Sequence, residues 1–258
     1  MRYTFYKYQG TGNDFILLDD RSGMVGELSR ETIARWCHRR FGIGADGLML
    51  LGSRDGYDFT MAYFNADGAP GSMCGNGARC IVRFAADLGL EAERFHFLAP
   101  DGDHEAELMA NGGVRLWMSD VSGIKTIGND WVLDTGSPHY VRMVQDVNLL
   151  DVETSGRAIR HSEPFSAAGI NVNFVEKKGT HDIFVRTFER GVEAETFSCG
   201  TGVTASALVA AGTESVLQQV NVETLGGKLQ VEFERTGPHC FTNIRLSGPA
   251  TFVFKGEI

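Results

Sequence analysis

Two cysteines in this 258-residue chain sit in the same local setting. Cys74 opens the segment CGNGARC (74–80) and Cys199 opens CGTGVT (199–204), and each Cys-Gly-x-Gly runs into apolar residues with helical spacing. The start of a helix favours a thiolate, because its first N–H groups lack partners and the positive end of the helix dipole lies there. Glycines let the backbone approach a bound group, so the same N–H groups can cradle a carboxylate. Two such thiols imply a particular chemistry. One thiolate takes a proton from a carbon, and the second thiol returns a proton to the opposite face, which inverts a stereocentre without a cofactor. Thiols lowered from about 8.5 toward the working pH suit both roles. A carbon beside a carboxylate is the natural target, since the N–H groups would stabilise the enolate-like charge by about 3–4 kcal/mol per donor. The alternative is a pair of packed structural cysteines, but a glycine-rich turn hides a thiol poorly.

The elements around these turns repeat. In the first half a strand ending at Phe64-Asn65 leads to Cys74 and a helix carrying Ala85-Ala86. In the second a strand ending at Phe188-Glu189-Arg190 leads to Cys199 and a helix carrying Ala210-Ala211. This common order indicates duplication. Elsewhere, RYTFYKYQ and FILLD read as strands, and SRETIARWCHRR reads as an amphipathic helix capped by Ser29 with Ile33, Trp36 and Cys37 on one face. GLMLLG and YDFTMAYF are strands. The first cysteine helix runs from Asn76 to a stop at Gly89. Strands are expected near 94–98, 105–110 and 113–118, and the polar stretch 119–130 marks the crossing into the second half. There WVLDTGSPHYVRMV, INVNFVEKK and DIFVRTFER read as strands, with a helix-like stretch near 147–160. The second cysteine helix is expected through VTASALVAAG (203–212), followed by a hairpin candidate around Gly226-Gly227 and strands FTNIRL and TFVFK. This is α/β material of the α+β type, dominated by antiparallel strands. Residues 1–119 form one half and 120–249 the other.

Composition narrows the function. A net charge of −9 argues against nucleic-acid or anionic-membrane binding. No apolar run approaches the roughly 20 residues that span a bilayer, and MRYTFYKYQG lacks the layout of a signal peptide. Five cysteines (37, 74, 80, 199, 240) are odd in number and unevenly spaced, so a reducing cytoplasm is expected rather than a disulfide framework. His239-Cys240 is too sparse for a zinc site, and no metal is expected.

The segments GTGNDF (10–15), FNADG (64–68), CGNGARC (74–80), GSPH (136–139), ERG (189–191) and CGTG (199–202) occur in the order found in diaminopimelate epimerases. The chain resembles that family over nearly its whole length. The resemblance implies two pseudo-symmetric halves, each of strands wrapped around a central helix, with the active site in the cleft between them and residues 250–258 returning to the first half. It implies a cofactor-independent interconversion of LL- and meso-2,6-diaminopimelate, by a homodimer whose partner molecule is this small substrate. Carried over by motif, Cys74 and Cys199 are the acid–base pair, and the backbones of Gly75-Asn76 and Gly200-Thr201 hold the reacting carboxylate. Asn13, Asn65 and Asn171 bind substrate, chiefly its distal end. Glu189 and Arg190 pair with the distal ammonium and carboxylate, and His139 and Glu189 support the thiols.

Judged as residues alone, several of these have plainer readings. Asn13 and Asn65 suit turns, Glu189-Arg190 suits a solvated strand end, and His139 suits a packed site. Asn173 competes with Asn171, which is preferred from its distance to Phe174. Cys80 and Cys37 read as packing residues. The chain also departs from the family: Gly47 stands where glutamine is frequent, Ser137 where asparagine precedes Pro-His, and Phe254 where an aromatic hydroxyl is common. Proline racemases share paired cysteine turns, but Glu189-Arg190 and the asparagines favour a substrate with a second charged pole. A redox protein using Cys74 and Cys80 would have an unusual C-x5-C spacing and leave Cys199 idle. A cysteine hydrolase needs only one thiol.

Overall fold

A computed structural model describes residues 2–211 and 217–258. The chain divides into two compact units, one of residues up to Leu116 together with Gly248–Ile258, the other Trp117–Ser247.

In the first unit the strands are β1 (Thr4–Gly10), β2 (Asn13–Asp19), β3 (Gly47–Gly52), β4 (Phe59–Asn65), β5 (Phe95–Ala99), β6 (Gly102–Leu108) and β7 (Val114–Trp117). Along the sheet β1–β2 is antiparallel, β2–β3 parallel, β3–β4 antiparallel, β4–β5 parallel, and β5–β6 and β6–β7 antiparallel. Parallel neighbours need a long crossover, and each here contains a helix. Helix α1 (Arg30–Cys37) joins β2 to β3, and α2 (Gly75–Asp87) joins β4 to β5.

The second unit begins with β8 (Val121–Ser122), β9 (Lys125–Ile127), β10 (Asp130–Asp134) and β11 (Pro138–Met143). It continues with β12 (Asn171–Lys177), β13 (Asp182–Glu189), β14 (Ala194–Thr196), β15 (Leu217–Thr224), β16 (Gly227–Gly237) and β17 (Cys240–Gly248). From β10 the directions repeat those of the first unit. β10–β11 is antiparallel, β11–β12 parallel, β12–β13 antiparallel, β13–β15 parallel, and β15–β16 and β16–β17 antiparallel. Helices α3 (Val152–Arg160) and α4 (Gly200–Ala210) fill the two parallel crossovers. The topology is therefore duplicated, with β14 an addition of the second copy. The last strand, β18 (Thr251–Glu257), pairs antiparallel with β1 in the first unit.

The cysteine helices are central in both units. Helix α4 is almost wholly small and apolar, as a helix buried on all sides must be, and every residue but Thr201 and Val209 is buried. Its polar Thr204 and Ser206 turn their hydroxyls onto the carbonyls of Gly200 and Gly202, four residues back. Helix α2 buries Gly75–Val82 together with Phe84 and Ala85. Helix α1 is amphipathic, with Ile33, Trp36 and Cys37 buried and Ser29 accepting the Thr32 N–H as its cap.

The hairpin expected around Gly226-Gly227 is β15–β16, which pairs Thr224 with Gly227 across the two-residue loop Leu225-Gly226. Helix α4 is described to Ala210, and Gly212, to which the sequence reading extended it, lies outside the described residues.

The third residue after each cysteine is where helix meets sheet most closely. A Cβ at Gly77 would overlap the Met49 Cε on β3, and one at Gly202 would overlap the Asn173 Oδ1 on β12. The Asn173 amide is buried and bonded on all sides, so it cannot yield as a methionine tip can. Gly202→Ala is expected to destabilise the fold by about 1–3 kcal/mol through overpacking, more than Gly77→Ala, with chemical denaturation of both variants as the check.

Candidate active site

Both cysteines are helix N-caps in nearly the same extended conformation: Cys74 at φ −118°, ψ 119° and Cys199 at φ −113°, ψ 113°. In neither does the side chain cap its own helix. The sulfur is thus left for other partners, while Gly75-Asn76 and Gly200-Thr201 carry first-turn N–H groups that have no carbonyl ahead of them in the helix.

In the first unit Cys74 is half-buried, and its Sγ lies 3.6 Å from Asn13 Oδ1. The Asn76 amide reaches the same oxygen at 3.4 Å, and Asn13 Nδ2 donates to Asp46 at 2.6 Å. Arg39 braces Asp46 and Asp14. Burial would raise the Asp14 carboxyl, but the Arg39 and Lys7 cations outweigh it and hold Asp14 down at about 2. Asn13 follows a tight turn in which Thr11 (φ 52°) and Gly12 (φ 84°) are both left-handed, the pattern of a two-residue hairpin loop. That conformation is uncommon for a β-branched residue. It places the Thr11 hydroxyl against Arg79 and Asn76.

Asn65 ends β4, exposed, in a turn where its N–H bonds Ala69 O and its carbonyl accepts from Gly68. Gly68 has φ 78°, and a Cβ there would run into the Arg30 carbonyl, so only glycine closes this turn. The side chain missing at Gly47 has a structural counterpart: a Cβ there would lie 2.5 Å from the Tyr63 ring and 2.9 Å from its hydroxyl oxygen. Gly71 abuts the same ring. Tyr63 therefore occupies the space that a residue at 47 would fill.

In the second unit Cys199 Sγ lies 3.5 Å from Thr201 Oγ1, which is 2.9 Å from His139 Nε2. His139 Nδ1 is 3.0 Å from Asn173 Nδ2. An amide nitrogen only donates, so His139 Nδ1 is the acceptor and its proton sits on Nε2. Nε2–H then donates to Thr201, whose own hydroxyl proton is left to point at the sulfur. The remaining amide bonds fix this order. Asn173 Nδ2 also donates to Tyr140 O at 3.0 Å, and its Oδ1 accepts from Thr187 at 3.0 Å. His139 is fully buried. Burial first, and the Arg190 charge second, push its pKa down to about 3, so the ring is neutral.

Asn171, Ser137 and Arg190 form a second cluster. Asn171 Nδ2 donates to Ser137 Oγ (3.0 Å) and Pro138 O (3.2 Å), and its Oδ1 accepts the Arg190 N–H at 2.9 Å. Arg190 Nη1 reaches Ala168 O at 3.2 Å, and its Nη2 reaches Ser137 Oγ at 3.5 Å. Glu189 ends β13 beside it, half-buried. Of the two competing asparagines, Asn171 touches Arg190 and Ser137, whereas Asn173 orients His139.

The residues that sequence reasoning passed over are Thr11, Asp46, Tyr63, Arg79 and Asn173 as the partner of His139. Arg79 carried the clearest signal, a charge between Ala78 and Cys80 in the stretch Gly75–Val82 that is buried throughout. Cys80 and Cys37 are buried, and burial pushes them up to about 12 and about 11. Phe254 on β18 stacks edge-on against Phe5. Among the described residues no cluster of three or more His, Cys, Asp or Glu could hold a metal ion, and no helix is long and apolar enough to cross a membrane.

A family model described as diaminopimelate epimerase matches residues 5–123 and 131–253. The diaminopimelate epimerase of Flavobacterium psychrophilum is 44% identical, the match covering 98% of this chain and 99% of that one. That of Chlorobaculum tepidum is 42% identical, with 96% and 98% covered. Among solved structures, a Bacillus anthracis phenazine biosynthesis protein of the PhzF family superposes with a TM-score of 0.78 at 15% identity, covering 100% and 99% of the two chains. A hydroxyproline epimerase from Agrobacterium vitis gives 0.69 at 11%, covering 100% and 92%. At such identities these two speak to the fold alone.

The neutral His139 has a consequence for acid stability. The unfolded chain binds a proton at this ring near 6.5, while the folded chain refuses it until about 3. The penalty is absent above pH 6.5 and grows as pH falls toward 3. His139→Gln, which cannot titrate, is expected to flatten the fall in unfolding midpoint between pH 6.5 and 4. Imidazole nitrogen NMR of the unsubstituted protein should show one tautomer, protonated at Nε2, across pH 5 to 8. A titration near 6.5 would contradict the buried chain of bonds.

Proposed function

The chain belongs to the diaminopimelate epimerase family, and from that premise we propose that it interconverts LL- and meso-2,6-diaminopimelate with Cys74 and Cys199 as the two acid–base groups. The supporting observation is the pair of cysteine N-caps at matched backbone angles, each with its sulfur off its own helix. One cysteine, as thiolate, takes the α-proton, and the electron pair left on carbon delocalises into the adjacent carboxylate. The other, as thiol, delivers its proton to the opposite face of that carbon. The turnover ends with the roles of thiol and thiolate exchanged, so the reverse reaction starts from the product state.

The first-turn N–H groups of Gly75-Asn76 and Gly200-Thr201 hold the reacting carboxylate and stabilise the charge it gains. Asn13, Asn65 and Asn171 bind substrate, and Glu189 and Arg190 meet the distal ammonium and carboxylate with charge-assisted bonds. His139 acts through Thr201, keeping a hydroxyl proton directed at the Cys199 sulfur whenever it is a thiolate. The enzyme acts without a cofactor, as a homodimer in the cytoplasm, on the route to lysine and cell-wall precursors.

Cys74→Ala and Cys199→Ala are each expected to lower turnover of LL-diaminopimelate by about 10²–10⁴-fold, the usual worth of a general acid or base. Thr201→Val should act more mildly and chiefly on kcat. Substantial turnover in either cysteine variant would sink the two-base mechanism.

A further inference from the structure

Arg79 lies on α2, five residues past Cys74, and is fully buried. A guanidinium stays protonated in proteins, and a buried charge without a counter-ion is strongly unfavourable. Its bonds end on neutral acceptors. Nη2 donates to Asn76 Oδ1 (3.0 Å) and Thr11 Oγ1 (3.1 Å), Nη1 to Gly75 O (3.3 Å) and Nε to Pro249 O (3.3 Å). Among the described residues no carboxylate pairs with it.

The charged groups around it are otherwise engaged. Asp14 on β2 is held by Lys7 from β1 and by Arg39, and Asp46, before β3, by Arg39 and the Asn13 amide. Tyr8 on β1 bonds Asp87 at the far end of α2. On β6, His104, Glu105 and Glu107 pair with Asp101, Arg94 and Arg115, and Asp103 takes the Tyr57 hydroxyl. β18 carries only exposed Lys255 and exposed Glu257, the latter paired with Arg2, and β3 has no titratable residue. Tyr63 is the titratable group of β4 on the α2 face. On α2 itself two thiols remain. Burial pushes Cys80 up to about 12, against the pull of Arg79, so it stays neutral. Cys74 is the one that solvent can reach.

We propose that Arg79 is a positioning residue whose buried positive charge has the Cys74 thiolate as its counter-ion. The same guanidinium sets the amides around that sulfur. By donating to Asn76 Oδ1 it turns Asn76 Nδ2 toward Asn13 Oδ1, the oxygen that accepts from Cys74 Sγ at 3.6 Å while the sulfur is a thiol. The role deepens the reading of Cys74 as an acid–base thiol and rests on it.

The test follows alkylation of Cys74 by iodoacetamide against pH, read peptide by peptide by mass spectrometry, in the unsubstituted protein, Arg79→Met and Arg79→Lys. Arg79→Met is expected to raise the midpoint for Cys74 by about one unit or more and to slow its alkylation at pH 7 about tenfold. Arg79→Lys, which keeps the charge, should restore most of that difference. An unchanged midpoint in folded Arg79→Met overturns the proposal. The readout needs neither substrate nor turnover, so a protein inactive on diaminopimelate would sink the functional reading and still leave the thiol titration to decide this one.

The other end of the pair is measured as well, which keeps the test decisive when Arg79→Met fails to fold. A thiolate held below its unfolded value adds stability that is full above about 8.5 and lost as pH falls through the folded value. The difference in Tm between the unsubstituted protein and Cys74→Ala must then widen from pH 6 to pH 9, and parallel curves overturn the pairing.

Discussion

The first turn of each cysteine helix lies against a sheet at a distance only glycine allows. Gly77 fits onto Met49 and Phe15, and Gly202 onto Asn173 and His139. That close seating buries the helix start, where the first-turn N–H groups have no carbonyl ahead of them in the helix. It also forces the residue ahead into an extended conformation that turns its side chain off the helix. Crossovers, parallel strand pairs and the buried all-round surface of α4 all serve to hold these two starts in place.

The two thiols inherit the same backbone but not the same surroundings. Cys199 sits at the end of a neutral chain that runs from Thr187 through Asn173, His139 and Thr201. Each bond fixes the direction of the next, and burial keeps the imidazole from taking a second proton. Cys74 instead faces amides arranged by a buried guanidinium. Duplication supplied the turn, and the two copies surround their sulfurs differently, Cys199 with oriented hydrogen bonds and Cys74 with amides set by Arg79.

The legible parts of the molecule were those set by local pattern. Ser29 as a cap, the periodicity from Asn76, Gly89 as a stop and the alternation of Thr4–Gly10 all depend on neighbours within a few residues. Repetition of the cysteine turn announced the duplicated topology, since the same order of elements imposes the same crossovers. Long-range side-chain partners were less legible. Asn171 and Asn173 lie on the same face of β12, so which of them serves the histidine depends on how β11 and β12 pair, a long-range match that local spacing does not carry. Likewise nothing in the spacing of Gly47, Tyr63 and Gly71 tells that one ring lies against both glycines.

Proton exchange at one carbon by two thiols is tested most directly by a proton NMR time course of the reduced protein with LL-diaminopimelate in D2O. The expected result is loss of the α-proton signal as the meso isomer appears, with solvent deuterium entering at the inverted centre. Reduced, folded protein that leaves the α-proton in place would contradict it.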